Sequence, residues 1–568
     1  MGTRKHLWLA VIVLLLATCA PAAEATATPT VAPATRLPPA TSAPSATAAP
    51  TPKAVSTPTT SRTQPKRGGT IVYPVLADPR AADPLRYGYS DIFQPLSMVH
   101  TRLTRFSPAM CQVYPYQPEL AESWAWVNDT TMEFKLKKGV RYPSVAPVNG
   151  REMVAEDVVY SATVQWPKAD SMAEAVKLIE KVVAVGKYTV RLQLKQTMGG
   201  YYEKLDNSGM ALIMPPEIFG PKSDIEKLEN NVGLGPFALK KYSPGVSMEF
   251  IRNEAYSTIQ PGLPYLDGVR FYVMPDFSTQ TSAFMAGRLD AIGFEDPTPA
   301  IPLERVPQLR AGDCGGVVIW ALYMNATKAP FTDVRVRRAV SMAVDRQVLL
   351  SAVYSGKGTT TYTGIAPHFG DYFLRKEGYP QDVRKLLDYD PEGAKKLLAE
   401  AGLPSGFSTT IAFTRRFPPQ QRAAEALVAM LGKAGINAKL QPLEYARFQE
   451  VVYGALFEEM AIANTGAGRD IDSSVWDPYH STSVPRNRGR LSDPQLDRMM
   501  EAFRRTTDEA QRIKLAKEIQ VYQVSSGNLV WMPVGNYPAY AQAHVKDFRP
   551  ILNTKAWGDY FYNVWVDR

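Results

Sequence analysis

Between Ala20 and Lys66 the chain is almost entirely Ala, Pro, Thr and Ser, with no apolar periodicity. Such a tract buries too little to offset the entropy of ordering it, and its proline content favours an extended spacer. It therefore splits the chain into a short leader and a body of about 500 residues from Arg67 onward. A body of that length exceeds what one hydrophobic core serves, so two or more lobes are expected.

The leader places Arg4, Lys5 and His6 before an apolar run, Leu7 to Ala17. As a helix that run rises only about 16 Å, against a bilayer core of about 30 Å. A cationic patch before a short apolar run is the export pattern. Leu16-Ala17-Thr18-Cys19 resembles a bacterial lipobox, with Thr18 where Gly, Ala or Ser is usual. The resemblance implies lipidation at Cys19, with residues 20–66 as the stalk; plain secretion with Cys19 discarded is the other reading. Each acyl CH₂ buried in the membrane would contribute about 0.8 kcal/mol.

Charge is weighed on the body alone. Residues 1–66 hold six basic side chains and one acid, leaving 58 basic and 54 acidic, a net charge of +4. Without a basic run interleaved with aromatics, no nucleic-acid partner is expected. Of the three cysteines, Cys111 and Cys314 belong to the body, as a bridge or as two buried thiols.

Period-two alternation marks strands at Gly69–Val75, Met132–Leu136, Tyr188–Leu194 and Val269–Val273. Helices dominate after Thr332. Asp390 before Pro391, with Ala394, Leu397, Leu398 and Ala401 on one face and Gly402 as a stop, spells a capped helix. Leu427, Val428 and Leu431 repeat that face before a strand at Asn437–Gln441, so parallel pairing is expected in an α/β lobe.

Catalytic chemistry is sparse. No His-Glu-x-x-His, Gly-x-Ser-x-Gly, Cys-x-x-Cys or Walker A motif occurs, and Gly356-Lys357-Gly358-Thr359-Thr360 lacks the preceding glycine of a phosphate loop. No enzyme activity, metal or cofactor is expected.

Motif after motif along residues 67–568 resembles the family 5 extracellular solute-binding proteins. Lys66-Arg-Gly-Gly-Thr70 matches the family's mature start. Pro118-Glu-Leu-Ala-Glu-Ser-Trp124, Phe134-Lys-Leu-Lys-Lys-Gly-Val140 and Ala155-Glu-Asp-Val-Val-Tyr-Ser161 follow in its order. Gly233-Leu-Gly-Pro-Phe237, Ala286-Gly-Arg-Leu-Asp-Ala291, the segment Val334–Arg346 and the segment Tyr389–Gly402 continue the match. Most of these carry structure: Trp124 and Phe134 are expected in a core, Gly235 in a turn, and Arg337 and Asp345 in ion pairs.

The resemblance implies an α/β, two-lobed periplasmic-binding-protein-like fold of the large peptide-binding type. Its expected parts are a signal over 1–19, a linker over 20–66, lobe I over 67–319 with an extra subdomain near 110–230, lobe II over 320–530, and a return to lobe I over 531–568. The implied function is capture of a di- or oligopeptide by a lipid-anchored extracytoplasmic monomer. Its partners would be ABC permease subunits with cytoplasmic ATPases. An oligosaccharide is the alternative solute; a surface receptor or adhesin and a secreted hydrolase are alternatives of other classes.

In peptide-binding members an Asp of the second lobe pairs with the ligand's α-amino group. The matching stretch here runs from Thr465 to Asp472. Asp470 is the expected anchor and Asp472 the second choice, unless Gly468 takes the place of that Asp. Either carboxylate also suits a loop, or a pair with Arg469. Gly88 and Tyr89 are expected at the first-lobe wall, where Tyr89 could instead pack on Phe93. Trp320 and Tyr323 sit near the crossing between lobes, as cleft or core residues. Trp476 is similar to an aromatic beyond the Asp segment, and the loop Lys357–Gly364 reaches the cleft in relatives.

Overall fold

Strand Trp320–Met324 shows how the second lobe is assembled. All five residues are buried, and they alternate. Trp320, Leu322 and Met324 enter a core built with helices Val334–Met342 and Pro418–Lys433. Ala321 and Tyr323 enter the opposite core, under helices Pro494–Arg505 and Glu509–Ser526. A strand covered on both faces is expected to be uniformly apolar, and each fully buried Leu or Ile side chain contributes about 1.5–3 kcal/mol.

This computed structural model describes residues 64–77, 90–105, 116–169, 172–207, 211–219, 227–294, 296–316, 319–465, 470–549 and 558–567. Cys19, Gly88, Tyr89 and Cys111 lie outside them. The second lobe holds a five-stranded sheet in the order 436–443, 407–414, 460–464, 320–324, 529–531. Strand Phe407–Thr414 runs parallel to both Ile436–Leu443 and Met460–Asn464, and Trp320–Met324 runs antiparallel to its two neighbours. The expected helix–strand alternation is present. Asp390 caps helix Pro391–Glu400 by accepting the Gly393 amide at 2.7 Å.

The first lobe is built on separate sheets. Strand Thr70–Val75 pairs in parallel with Gly268–Val273, which continues antiparallel into Ser247–Arg252 and Phe237–Ser243. A second, antiparallel sheet joins Ala121–Asn128, Thr131–Leu136, Thr189–Leu194 and Ile179–Gly186. Helix Tyr201–Asn207 packs into the core of this second sheet through Tyr201 and Leu205. The fold is α/β and two-lobed.

Two chain crossings, lying side by side, connect the lobes. One runs between strands Arg310–Gly315 and Trp320–Met324, the other between Leu529–Trp531 and Val534–Ala541. The Gly316 amide donates to the Gly535 carbonyl at 2.8 Å, and the Met532 amide to the Trp320 carbonyl at 3.0 Å. Cys314, at the end of the first crossing strand, is disulfide-bonded. Its thiol is therefore not free, which settles the Cys314 half of the question the sequence left open.

Three expectations change. Gly235 is required by space rather than by a left-handed backbone: a Cβ there would lie 2.4 Å from the Met98 carbonyl oxygen. Among the described residues Arg337 makes no inter-element ion pair; buried, it donates to the carbonyls of Phe331, Thr332 and Ser526. Asp345 is a helix cap, accepting the amides of Gln347 and Val348 at 3.0 Å each.

Candidate binding cleft

The carboxyl ends of strands in an open α/β sheet form the edge where ligands bind. Here that edge is the end of the second-lobe sheet beside the crossings. Strand Phe407–Thr414 runs out into Arg415, Arg416 and Phe417, and Pro418 opens the following helix. Ile436–Leu443 leads to Glu444 and Tyr445, and Met460–Asn464 leads to Thr465. The antiparallel strand Trp320–Met324 begins at the same edge, with Trp320 opposite Asn464.

An aromatic shelf forms there. The Trp320 and Phe417 rings lie 5.4 Å apart, and Phe417 meets Tyr445 edge-on at 5.8 Å and 82°. The Arg416 guanidinium sits 4.7 Å from the Tyr445 ring centre, a cation–π distance. Arg415 and Arg416 are exposed, and neither has an ion-pair partner among the described residues. Two uncompensated guanidiniums beside clustered rings suit a planar or apolar group that carries an anion.

The first lobe meets the second through helix Tyr201–Asn207. Lys204 Nζ lies 2.8 Å from Asp472 Oδ2 and 3.8 Å from Asp470 Oδ1, and donates to Ser473 Oγ at 3.0 Å. Arg504 grips Asp472 with two bonds of 2.7 Å each. One residue earlier, Glu203 meets Arg512 at 3.2 Å, both side chains only 1% exposed. The Gly199 amide donates to the Arg504 carbonyl at 2.7 Å, and a Cβ on Gly199 would overlap the Thr506 carbonyl at 1.7 Å. Backbone and ion pairs thus dock one lobe on the other without space for a side chain at Gly199.

The electrostatics of this junction follow from burial. Burial pushes the Glu203 carboxyl up to about 8, against the pull of Arg512. Burial opposes the charge of Asp472 too, but Arg504 and Lys204 outweigh it and hold the carboxyl below its ordinary value. Lys204 is likewise desolvated, yet Asp470 and Asp472 raise it above its ordinary value.

The anticipated site residues separate. Asp470, 6% exposed, is the N-cap of helix Ile471–Trp476 and accepts the Ser473 amide at 2.6 Å. Asp472 is spent on Lys204 and Arg504. Tyr323 is fully buried in the core, with its hydroxyl accepting from Arg488 at 3.2 Å. Trp476 is held between His480, stacked at 3.5 Å and 8°, and the Arg504 guanidinium at 3.4 Å. Of the aromatic candidates among the described residues, Trp320 alone joins the shelf. In the loop Lys357–Gly364, Thr361 and Thr363 are buried and bonded to the Met532 carbonyl and to Gln520. Phe417, Tyr445, Arg416, Glu203 and Lys204 were not singled out from the sequence. The run Arg415-Arg416-Phe417-Pro418-Pro419 after an alternating strand was the signal that marks the first and third of them.

Residues 115–485 match the model of the bacterial extracellular solute-binding proteins, family 5 (middle region). The chain belongs to this family. It is 26% identical over 495 residues to heme-binding protein A of Haemophilus influenzae, covering 83% of this chain and 87% of that one. It is 25% identical to the dipeptide-binding protein of Escherichia coli strain K12, over 85% of this chain and 90% of that one. The solved periplasmic binding protein DppA of Helicobacter pylori, in complex with the peptide STSA, superposes with a TM-score of 0.67 at 21% identity. That superposition spans 89% of this chain and 99% of the other. A family 5 protein is an extracytoplasmic solute-binding protein and not an enzyme. No helix among the described residues is long and apolar enough to cross a membrane.

Proposed function

We propose that this family 5 chain captures a peptide-like solute between its lobes and delivers it to an ABC permease. The observation that carries the reading is the shelf of Trp320, Phe417 and Tyr445 with uncompensated Arg415 and Arg416, at the carboxyl edge of the second-lobe sheet. The dipeptide-binding relative and the peptide-bound structure support a peptide-like ligand. A ligand shifts the lobes towards closure only by binding the closed form more tightly than the open one. Contacts from both lobes to one solute supply that difference. Gly88 and Tyr89 remain part of the proposed first-lobe wall, and Trp320 and Arg416 of the second. Lipidation at Cys19, with residues 20–66 as the stalk, would hold the monomer near its permease.

A thermal-shift screen of di- to pentapeptides, glutathione, haem and oligosaccharides tests this. A ligand at 100-fold its Kd stabilises the bound fold by about 2.7 kcal/mol, so peptides are expected to raise the Tm by several degrees. A shift with haem or an oligosaccharide and none with any peptide would replace the peptide reading.

A further inference from the structure

The lobes also meet beside the crossings, through charges that stay in contact with water. Second-lobe helix Pro418–Lys433 opens directly after Phe417, and Arg422 lies one turn into it. Arg422 Nε donates to the Val353 carbonyl of its own lobe at 2.9 Å, and its Nη2 reaches Asp296 Oδ2 at 3.4 Å across the boundary. Asp296 belongs to the first lobe, where its Oδ1 accepts the Thr298 amide at 2.8 Å, beside the 3₁₀ helix Thr298–Arg305. Near the other end of that helix, Glu304 meets Lys357 at 2.6 Å. The Lys357 carbonyl accepts the Asn536 amide at 3.1 Å, so this end of the helix is tied to the second crossing. Asp296 and Arg422 are each fixed to their own lobe, and their contact exists only while the lobes are together.

The Arg422 and Asp296 side chains are 31% and 23% exposed, against 1% for Glu203 and Arg512. A solvated pair of this kind favours its contact by about fivefold at most and is screened by salt. We propose that Arg422 and Asp296 form a weak, salt-screened latch that holds the lobes together before any solute arrives. With part of the closure already favoured, a solute needs to supply less of it. A contact this weak also releases readily, which opens the cleft for entry.

Hydrogen–deuterium exchange of the ligand-free mature protein tests the latch at a distance from the pair. The Gly199 amide donates to the Arg504 carbonyl across the other lobe contact, so it exchanges when the lobes part. Its exchange should quicken by about threefold to fivefold as NaCl rises from about 0.01 to 1 M and the Debye length falls from about 30 to 3 Å. Asp296→Asn keeps an oxygen for the Thr298 amide; it should show the faster exchange already at low salt, with a flat salt response. Arg422→Glu sets two carboxylates together and should quicken exchange further, by about tenfold. Adding Asp296→Arg to it should restore the parental rate. Parental exchange with a parental salt response in both single variants overturns the latch. So does a parental protein whose Gly199 exchange does not respond to salt, and that result stands even where a variant fails to fold. No solute is present, so failure of the latch and failure of the peptide reading are told apart.

Discussion

Replacing Glu203 by Met is expected to weaken the docked arrangement of the lobes by about 1.5–3 kcal/mol, because it removes a carboxyl that accepts from a buried guanidinium. Arg512 is 1% exposed and its guanidinium has no neutral form to adopt at working pH. The carbonyls of Phe503 and Thr506 each accept from it at 3.3 Å but bring no countercharge. The converse change, Arg512→Met, should cost less. Burial already pushes the Glu203 carboxyl up to about 8, so that side chain can take up a proton when its partner is lost. Removing both, in Glu203→Met with Arg512→Met, should restore most of the loss. Ligand affinity is the readout, since only docked lobes contact the solute from both sides; the single Glu203 change corresponds to a loss of about 10- to 100-fold. If Arg512→Met proves the more damaging single change, the pair is held as two charges and the asymmetry is wrong.

The same group sets a pH dependence. Its carboxyl is raised when docked and ordinary when exposed, so docking favours the protonated form. That contribution is full below the ordinary glutamate value of about 4.5 and is lost as pH rises through about 8. Asp472 behaves oppositely: its depressed value gives stability above about 3.8 that disappears only at lower pH. The two windows do not overlap. Between about 4.5 and 8, affinity should fall with rising pH in the parent protein and lose that slope in Glu203→Met.

Arg416→Ala is expected to lower ligand affinity by about 10- to 100-fold, the scale of one charge-assisted hydrogen bond. The Arg416 side chain is exposed and, among the described residues, makes only ring contacts, with Tyr445 at 4.7 Å and Phe417 at 6.0 Å. The fold should tolerate its loss, leaving the Tm of the ligand-free protein within about a degree or two. Trp320→Ala would be a poorer probe, since Trp320 is also a core residue at 7% exposure. Unchanged affinity in a folded Arg416→Ala protein would remove the shelf from the binding account.

Local features were legible in the sequence. Asp390-Pro391 announced its helix because capping is decided within four residues, and the alternation at Tyr188–Leu194 announced a strand that spans Thr189–Leu194. Asp470 had the same kind of signal, an Asp three residues before Ser473, which reads as a helix cap. The family match drew attention to its carboxylate instead. What the sequence hid was long-range pairing. Glu203 and Arg512 are 309 positions apart, and in sequence each reads as an ordinary charged helix residue. Gly199-Gly200 was the trace of that docking, since neither position has room for a Cβ against the second lobe. Arg337 misled in the opposite way: a charged residue on a helix suggested a carboxylate partner, but three backbone carbonyls accept from its two terminal nitrogens.

The central claim is capture of one solute, unaltered, at the shelf between the lobes. Native mass spectrometry of the mature protein incubated with peptide ligands found in the thermal screen tests it most directly, with Arg416→Ala measured alongside. The account predicts one solute per chain, recovered chemically unchanged after denaturation, with much lower occupancy in the variant. Recovery of cleaved or otherwise altered solute, or equal occupancy in the two proteins, would contradict it.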